Sequence, residues 1–246
     1  MKLAVLTDIH ANREAFQAVL DDAVAHGADR TALLGDLVGY GPDPEWCCET
    51  AFRLVSEGAI AVKGNHDSAA SGGDEAMSAL AAKAMDWTRG RLTGAHCVFL
   101  AGLPLTATEG DVLFVHASAN HPEAWSYVTS DTRAAPSFRA VTARVILCGH
   151  THRPLLASAD RSGMVREQTF RQNLAIPLIR SRRWLAVVGA VGQPRDGVPQ
   201  AGWALLDTGR NELTFRRTAY DTATTAAKVR AAGLPEALAL RLLKGK

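Results

Sequence analysis

Five short polar clusters carry the residue types that bind metal ions and move protons: Asp8-Ile9-His10, Gly35-Asp36, Gly64-Asn65-His66-Asp67, His116, and Gly149-His150-Thr151-His152. Each follows an apolar run that reads as a strand, and strand carboxyl ends are where α/β sheets keep their sites. Asp8 and His10 stand two apart, so in an extended segment they project to one face and can grip a single cation. Carboxylate oxygen, imidazole nitrogen and amide oxygen together suit Mn, Fe, Zn, Co or Ni. No single cluster decides the matter. Gly-Asp is ordinary turn chemistry, and a lone Asp-x-His or His at a strand end commonly caps a turn or fills a core. The joint pattern is more telling, because five of the eight histidines (10, 66, 116, 150 and 152) fall in these clusters. Histidines scattered over a surface have no preference for strand ends.

The elements that position the clusters follow from apolar periodicity. Lys2 to Thr7 reads as a strand, and Phe16, Val19, Leu20, Ala23 and Val24 recur at helical spacing until His26-Gly27 stops them. Ala32 to Leu34 is a second strand, Pro44 to Glu57 a helix with Pro near its start, and Ala59 to Lys63 a third strand. A β-α-β-α-β order predicts parallel strands covered by helices. Residues 74–100 are rich in Ala and Leu without strand alternation and are expected to form a helical insertion. Val112 to Val115 and Val145 to Cys148 are further strands, each leading to a His. Between Pro154 and Phe215 the texture changes to short β-prone pieces (Trp184 to Val188, Trp203 to Leu206, Leu213 to Arg216), as in a meander or second sheet. Two closing helices are expected over about 221–244, split by Gly233-Leu234-Pro235. The expectation is one domain over 1–246, an α/β two-sheet layer structure with helices outside.

Composition sets the outer bounds. At 246 residues the chain is about 1.6 times a typical domain. Its 47% hydrophobic and 21% charged residues exclude disordered, collagen-like and coiled-coil classes. Val145 to Cys148 and Trp184 to Val191 are far short of the roughly 20 residues that cross a bilayer, so no membrane partner is expected. The run Leu3 to Leu6 is interrupted at Asp8 and lacks a cleavage site, so no signal peptide is read and a cytoplasmic location is expected. Four cysteines (47, 48, 97 and 148) lack CxxC spacing, so reduced thiols are expected and a zinc-thiolate site is not. A net charge of +2 hides an asymmetry: residues 1–123 carry 8 Lys and Arg against 17 Asp and Glu, and the remainder carries 19 against 8. Either acidic ligands come early and a basic surface for an anionic substrate late, or the charges intermix on one folded body.

In this order the five clusters resemble the calcineurin-like metallophosphoesterase superfamily, whose motifs run Asp-x-His, Gly-Asp, Gly-Asn-His-Asp/Glu, His and Gly-His-x-His. The segments Val38-Gly39-Tyr40-Gly41-Pro42-Asp43-Pro44 and Val191-Gly192-Gln193-Pro194-Arg195-Asp196-Gly197, with Ala232-Gly233-Leu234-Pro235-Glu236, resemble its bacterial and archaeal single-domain branch of phosphodiesterases or diadenosine-tetraphosphatase-like phosphatases. The resemblance implies a two-sheet αββα sandwich and two divalent metal ions, with Mn favoured. It implies that Asp8, His10, Asp36 and His152 hold one ion, that Asp36, Asn65, His116 and His150 hold the other, and that Asp36 bridges. It further implies that His66 is a non-ligand beside the scissile phosphate. Asp67 either orients that imidazole or caps the following turn. Two departures stand out: Ala11 replaces the Gly of a His-Gly-Asn pattern, and Val187-Val188-Gly189-Ala190 replaces Asn-Pro-Gly-Ser.

A phosphate ester resists attack because its anionic oxygens repel nucleophiles, and two metals both neutralise that charge and supply hydroxide near neutral pH. The expected activity is metal-dependent hydrolysis of a phosphodiester, phosphomonoester or dinucleoside polyphosphate, with a small phosphorylated molecule, nucleotides included, as partner. Arg153 and Arg195 are the expected phosphate contacts within an Arg-rich stretch (Arg161, Arg166, Arg171, Arg180, Arg182, Arg183) that is otherwise expected to be mostly solvated surface. Tyr40 either stacks on a base or packs its ring at the turn. A nuclease and a serine/threonine protein phosphatase are the alternative readings, nucleic acid being less favoured as substrate. A non-catalytic scaffold would ordinarily show a lost ligand, and none is lost.

Overall fold

Period-two burial along the first strand lays out the architecture. In the computed structural model, which describes residues 1–246, β1 (Lys2–Leu6) turns Leu3 and Val5 into one apolar core and Ala4 and Leu6 into another. On the Leu6 side lie Phe16 and Val19 of α1 (Arg13–Ala25) and Cys47 and Ala51 of α2 (Pro44–Ser56). Asn12 starts α1 by accepting the Ala15 N–H at 3.1 Å, and Pro44 stands in the first turn of α2, where its missing donor costs nothing. β1 pairs in parallel with β2 (Arg30–Leu33), and β2 with β3 (Ile60–Ala61).

The first sheet continues on the other edge of β1. There β11 (Ala201–Asp207) runs antiparallel to it, followed by β12 (Glu212–Thr218) and β9 (Ile176–Pro177), for an order of β3-β2-β1-β11-β12-β9. The second sheet is ordered β4-β5-β6-β10-β7-β8, from β4 (Thr106–Glu109), β5 (Val112–Val115), β6 (Val145–Cys148), β7 (Leu155–Ala159), β8 (Val165–Glu167) and β10 (Arg183–Val187). Strand β6 alternates as β1 does. Its Val145 and Leu147 meet Leu3, Val5, Phe114 and Phe215 between the sheets, while Ile146 and Cys148 face Ala134 and Phe138 of α6 (Asp131–Ala140). Two mixed six-stranded sheets packed face to face, with helices outside, make an αββα sandwich.

The segment 154–215 is therefore not one meander or one sheet. Its strands β7, β8 and β10 join the second sheet, and β9, β11 and β12 the first. A short apolar run records that it pairs, not with which strand it pairs.

Helix α3 (Asn65–Ala70) is followed by α4 (Ala79–Arg89) and α5 (Gly94–Gly102) in the region read as a helical insertion. The chain closes with α7 (Thr222–Ala231) and α8 (Glu236–Lys244). Ala81 and Ala84 of α4 share a small core with Tyr40, Val229, Leu238 and Leu242, so the insertion and the closing helices meet over one rim of the sandwich. No helix is long and apolar enough to cross a membrane, and all four cysteines are free thiols.

Charges from the two halves of the chain pair across the fold. Lys228 Nζ lies 2.7 Å from Glu14 and 2.5 Å from Asp43, and Arg144 Nε lies 2.5 Å from Asp111. Arg183 spends its guanidinium on the carbonyls of Phe138, Val141 and Ala143 at the end of α6. The sequence-level charge blocks thus intermix in space, and part of the Arg-rich stretch is internal scaffolding.

Phe114 is fully buried between the sheets, whereas Val24 is 76% exposed. Phe114→Ala should cost about 3–5 kcal/mol, read as a lower urea midpoint at unchanged slope. Val24→Ala should stay within about 0.5 kcal/mol of the parent. Similar losses in the two variants would contradict the inter-sheet core.

Candidate metal centre

Asp8 follows β1 in one sheet and His150 follows β6 in the other, and one hydrogen bond joins them. The His150 backbone N–H donates to Asp8 Oδ2 at 2.9 Å, and the Thr7 hydroxyl donates to the same oxygen at 3.0 Å. Asp36, past the end of β2, is tied in the same way, its Oδ1 accepting the His66 N–H at 2.8 Å. Each carboxylate therefore has one oxygen fixed by backbone and one turned inward. Asp8 Oδ1 is buried without a hydrogen-bond partner. Asp36 Oδ2 lies 3.3 Å from His116 Nε2 and 3.7 Å from His10 Nε2. These approaches need glycine at two places: a Cβ on Gly64 would overlap the Asp36 carboxylate, and one on Gly149 would overlap Thr7 and the Asp8 carboxylate.

The imidazoles are oriented by carbonyls. His10 Nδ1 donates to Val38 O (3.2 Å), His116 Nδ1 to Leu34 O (2.7 Å), and His152 Nδ1 to Gln193 O (2.6 Å). A carbonyl only accepts, so the proton of each neutral ring sits on Nδ1 and the lone pair on Nε2. His10 Nε2 and His152 Nε2 then face each other at 3.1 Å, two lone pairs that need a positive charge beside them. Asp8 Oδ1 is 3.3 Å from that His152 nitrogen. Across the Asp36 carboxylate, His116 Nε2 is 3.1 Å from His150 Nδ1 and 3.3 Å from Asn65 Oδ1. Asp8, His10 and His152 form one group, Asp36, His116 and His150 a second, and His10, Asp36 and His66 a third, each with ligand atoms within 4.8 Å of one another. Convergent lone pairs around an orphaned carboxylate oxygen fit a divalent cation of the imidazole- and carboxylate-binding kind.

The backbone is strained where these groups sit. Asp8, His10, Asp36, His150 and His152 have φ of 53°, 49°, 54°, 68° and 58°, the left-handed region that costs non-glycine residues about 1–3 kcal/mol each. Ala11 shares it at 52°, which explains why a Gly is the natural alternative there.

Burial and neighbouring charge set the protonation states. Burial keeps His10 and His66 below the ordinary histidine value, and burial together with His116 brings His150 down to about 3, so all three rings are neutral, which leaves His10 and His150 free to coordinate. His116 differs. Burial opposes its charge, but the adjacent Asp36 carboxylate overrides this and pushes it up to about 9. Burial would likewise raise the two central carboxyls, yet His152 beside Asp8 and His116 beside Asp36 hold both well below the usual range.

All seven residues read as metal ligands thus meet at one rim; the other readings fare unevenly. Asp67 does not orient His66: its Oδ1 accepts from Leu37 N (2.8 Å) and its Oδ2 from Gly64 N (3.0 Å), so it pins the Asp36 loop to the start of α3. Burial and the nearby Asp36 raise it to about 7. His66 lines the cleft with Nδ1 unpartnered. Tyr40 is 8% exposed and packs against His10 (4.7 Å between centroids) and His66 (4.6 Å), so it buttresses imidazoles instead of stacking on a base. Arg195 lines the cleft, but Arg153 lies in a neighbouring groove with its Nε donating to Arg195 O at 2.8 Å. Sequence reasoning missed Tyr127, which stacks on His150 (4.1 Å, 15°), and Arg241, which reaches the cleft from α8. Neither carries a local signal.

The geometry agrees with comparison to known proteins. The family model of the calcineurin-like phosphoesterase superfamily domain matches residues 1–211. The chain belongs to the calcineurin-like phosphoesterase superfamily. Among solved structures of this kind, a metallophosphoesterase from Sphaerobacter thermophilus is 37% identical with a TM-score of 0.88, covering 100% of this chain and 99% of that one. A protein of Pyrococcus horikoshii shares the fold at 18% identity and a TM-score of 0.78, covering 100% and 98%. An uncharacterized protein of Methanocaldococcus jannaschii is 33% identical over 250 residues, 99% of this chain and 98% of its own length. The two helices that close this phosphoesterase-family chain lie beyond the matched residues, yet the second of them, α8, reaches the same cleft through Arg241.

A proton on His116 competes with any cation for Nε2, so manganese affinity should rise with pH and level off above about 9. Titration calorimetry at pH 7.5 (about 1.5 below that value) in buffers of different ionisation enthalpy should show proton release. Because the folded value exceeds the ordinary 6.5, charged His116 stabilises the metal-free protein fully below 6.5, and that contribution is lost as pH rises through about 9. Identical heats in all buffers would contradict this assignment.

Proposed function

We propose that this protein is a metal-dependent phosphoric ester hydrolase acting on a small phosphorylated substrate. The observation that carries the reading is Asp36 Oδ2, which faces His10 at 3.7 Å and His116 at 3.3 Å, members of two different His/Asp groups. A carboxylate shared in this way suits two cations. In this reading Asp8, His10, Asp36 and His152 hold one divalent ion, and Asp36, Asn65, His116 and His150 the other, manganese being favoured among Mn, Fe, Zn, Co and Ni. When bound, such a pair neutralises phosphoryl oxygens and brings the pKa of water down from about 15.7 toward neutrality.

The chain's own side chains do the remaining work. His66 is neutral at neutral pH, so it carries one ring proton and can donate it in a hydrogen bond to the leaving oxygen as charge develops there. Tyr40 and His10 hold its ring edge-on or tilted, at 4.6 and 4.8 Å. Arg195 adds a fixed cation on the same wall, its guanidinium carbon 5.7 Å from the Tyr40 ring centre. Met77 and Ala81 add apolar surface to the cleft beside Tyr40. The cleft is about 180 Å³, which accommodates a phosphoryl group with its near substituents.

The decisive assay strips the protein of metal, restores Mn, Fe, Zn, Co or Mg, and measures turnover of chromogenic monoesters and diesters and of dinucleoside polyphosphates. Metal-dependent turnover of at least one class is expected, and inactivity under every metal would overturn the reading. Asp36→Asn should lose most turnover and much of its metal, because a neutral amide bridges poorly. His66→Ala should lose about 10²–10⁴ in kcat at unchanged metal content. Metal loss in parallel with the activity would make His66 a ligand instead.

A further inference from the structure

Two guanidiniums stand side by side in the cleft with no carboxylate between them. Arg195 Nη2 donates to Gln193 Oε1 at 2.9 Å, and Arg241 Nη1 from α8 reaches the same oxygen at 3.5 Å. One neutral amide oxygen shared by two cations leaves both charges uncompensated. The nearest acids along the chain are spent elsewhere: Asp196 pairs with Arg217, and Glu236 with Arg230. The only acid lining the cleft is Asp36, whose oxygens belong to the metal centre. Arg195 Nε is buried and has no partner, so a desolvated N–H donor is left over.

Arg195 is also held in place. Arg195 lies over Tyr40, Tyr40 lies against His10 and His66, and Arg153 holds the Arg195 carbonyl. Gln193 in turn gives its own carbonyl to the metal-facing His152. Uncompensated like charges kept close together in a partly buried cleft cost stability, and that cost is recovered only when an anion arrives. The two guanidiniums meet Gln193 Oε1 and the Tyr40 ring and contact none of the seven side chains of the metal centre, so the pair lines the same cleft apart from those ligands. That position suits a phosphoryl group other than the one being hydrolysed.

We propose that Arg195 and Arg241 form a receptor for a second phosphoryl group, so that the preferred substrates carry one phosphate beyond the scissile one, as polyphosphate-linked esters do. This rests on reading the cleft as a phosphoesterase site. Planar guanidiniums bind phosphate oxygens through two parallel N–H donors, which a single-phosphate ester leaves unused. The closing helix α8 then sets substrate choice by delivering Arg241 to a centre built from the rest of the chain.

The test compares the manganese-loaded protein with its Arg241→Gln variant on 4-nitrophenyl phosphate, which has one phosphoryl group, and on a dinucleoside tetraphosphate. The ratio of kcat/KM for the tetraphosphate to that for the monoester should fall by about 10- to 100-fold in the variant, chiefly through KM. Inorganic pyrophosphate, measured by calorimetry, should lose affinity by a similar factor, and inorganic phosphate by much less. Equal losses on both substrates, or equal losses for pyrophosphate and phosphate, would overturn the receptor. If the parent turned over neither ester, the phosphoesterase reading would fail, and the pyrophosphate-to-phosphate comparison would still decide the receptor. Should circular dichroism show Arg241→Gln unfolded, Arg241→Met keeps an apolar stem in its place and is read by the same ratios.

Discussion

A protonated Nδ1 held against a backbone carbonyl turns His10, His116 and His152 so that their lone pairs converge. The accepting carbonyls belong to Val38, Leu34 and Gln193, so the path of the main chain, more than side-chain packing, aims the rings. That path is costly. The positive φ values at Asp8, His10, Asp36, His150 and His152 are the strain accepted so that carboxylates and imidazoles point into one volume. Close contacts at Gly64 and Gly149 serve the same end by admitting the carboxylates of Asp36 and Asp8 against the backbone.

Such a centre exists only if the two sheets are already packed. Asp8 comes from one sheet, His150 and His152 from loops beyond the other, and the His150 N–H to Asp8 bond closes the seam at the rim. Beneath it, Leu3, Val5, Phe114, Leu147 and Phe215 fill the space between the sheets. Burial there supplies the driving force, and the ligands at the rim inherit their positions from it. The same burial desolvates the histidines and keeps His10 and His150 neutral, the form that coordinates, with His66 neutral beside them. Asp36 also favours a proton on His116, which a cation at Nε2 would have to displace.

Part of the cleft wall comes from α8, beyond the residues that match the superfamily domain. Helix α4 meets α7 and α8 in a small core around Tyr40, and this places Met77, Ala81 and Arg241 beside the ligands. Lys228, paired with both Glu14 and Asp43, ties α7 to the first turn of α1 and to the residue that precedes α2. The helices at the rim thus shape the cleft around a centre that the two sheets assemble.

The residue types of the centre and the strands that precede them were legible in the chain itself, because both signals are local. An apolar run followed by Asp, Asn or His at a strand end is recorded within a few residues, and so is the helical spacing from Phe16 to Val24. The order β1-α1-β2-α2-β3 predicted parallel pairing for the same reason. Other features left no local trace. Whether β7 or β11 joins one sheet or the other, whether Asp67 serves His66 or the Leu37 backbone, and which face of Tyr40 is covered all depend on partners far away in sequence. Tyr127 and Arg241 looked like any exposed tyrosine or helix arginine. The sequence by itself determined which atoms could bind a cation and on which strands they ride, since covalent order and side-chain period dictate both. Only the tertiary structure decided how those atoms face one another and which arginines overlook them, because these are outcomes of long-range burial, and nearby residues do not encode it.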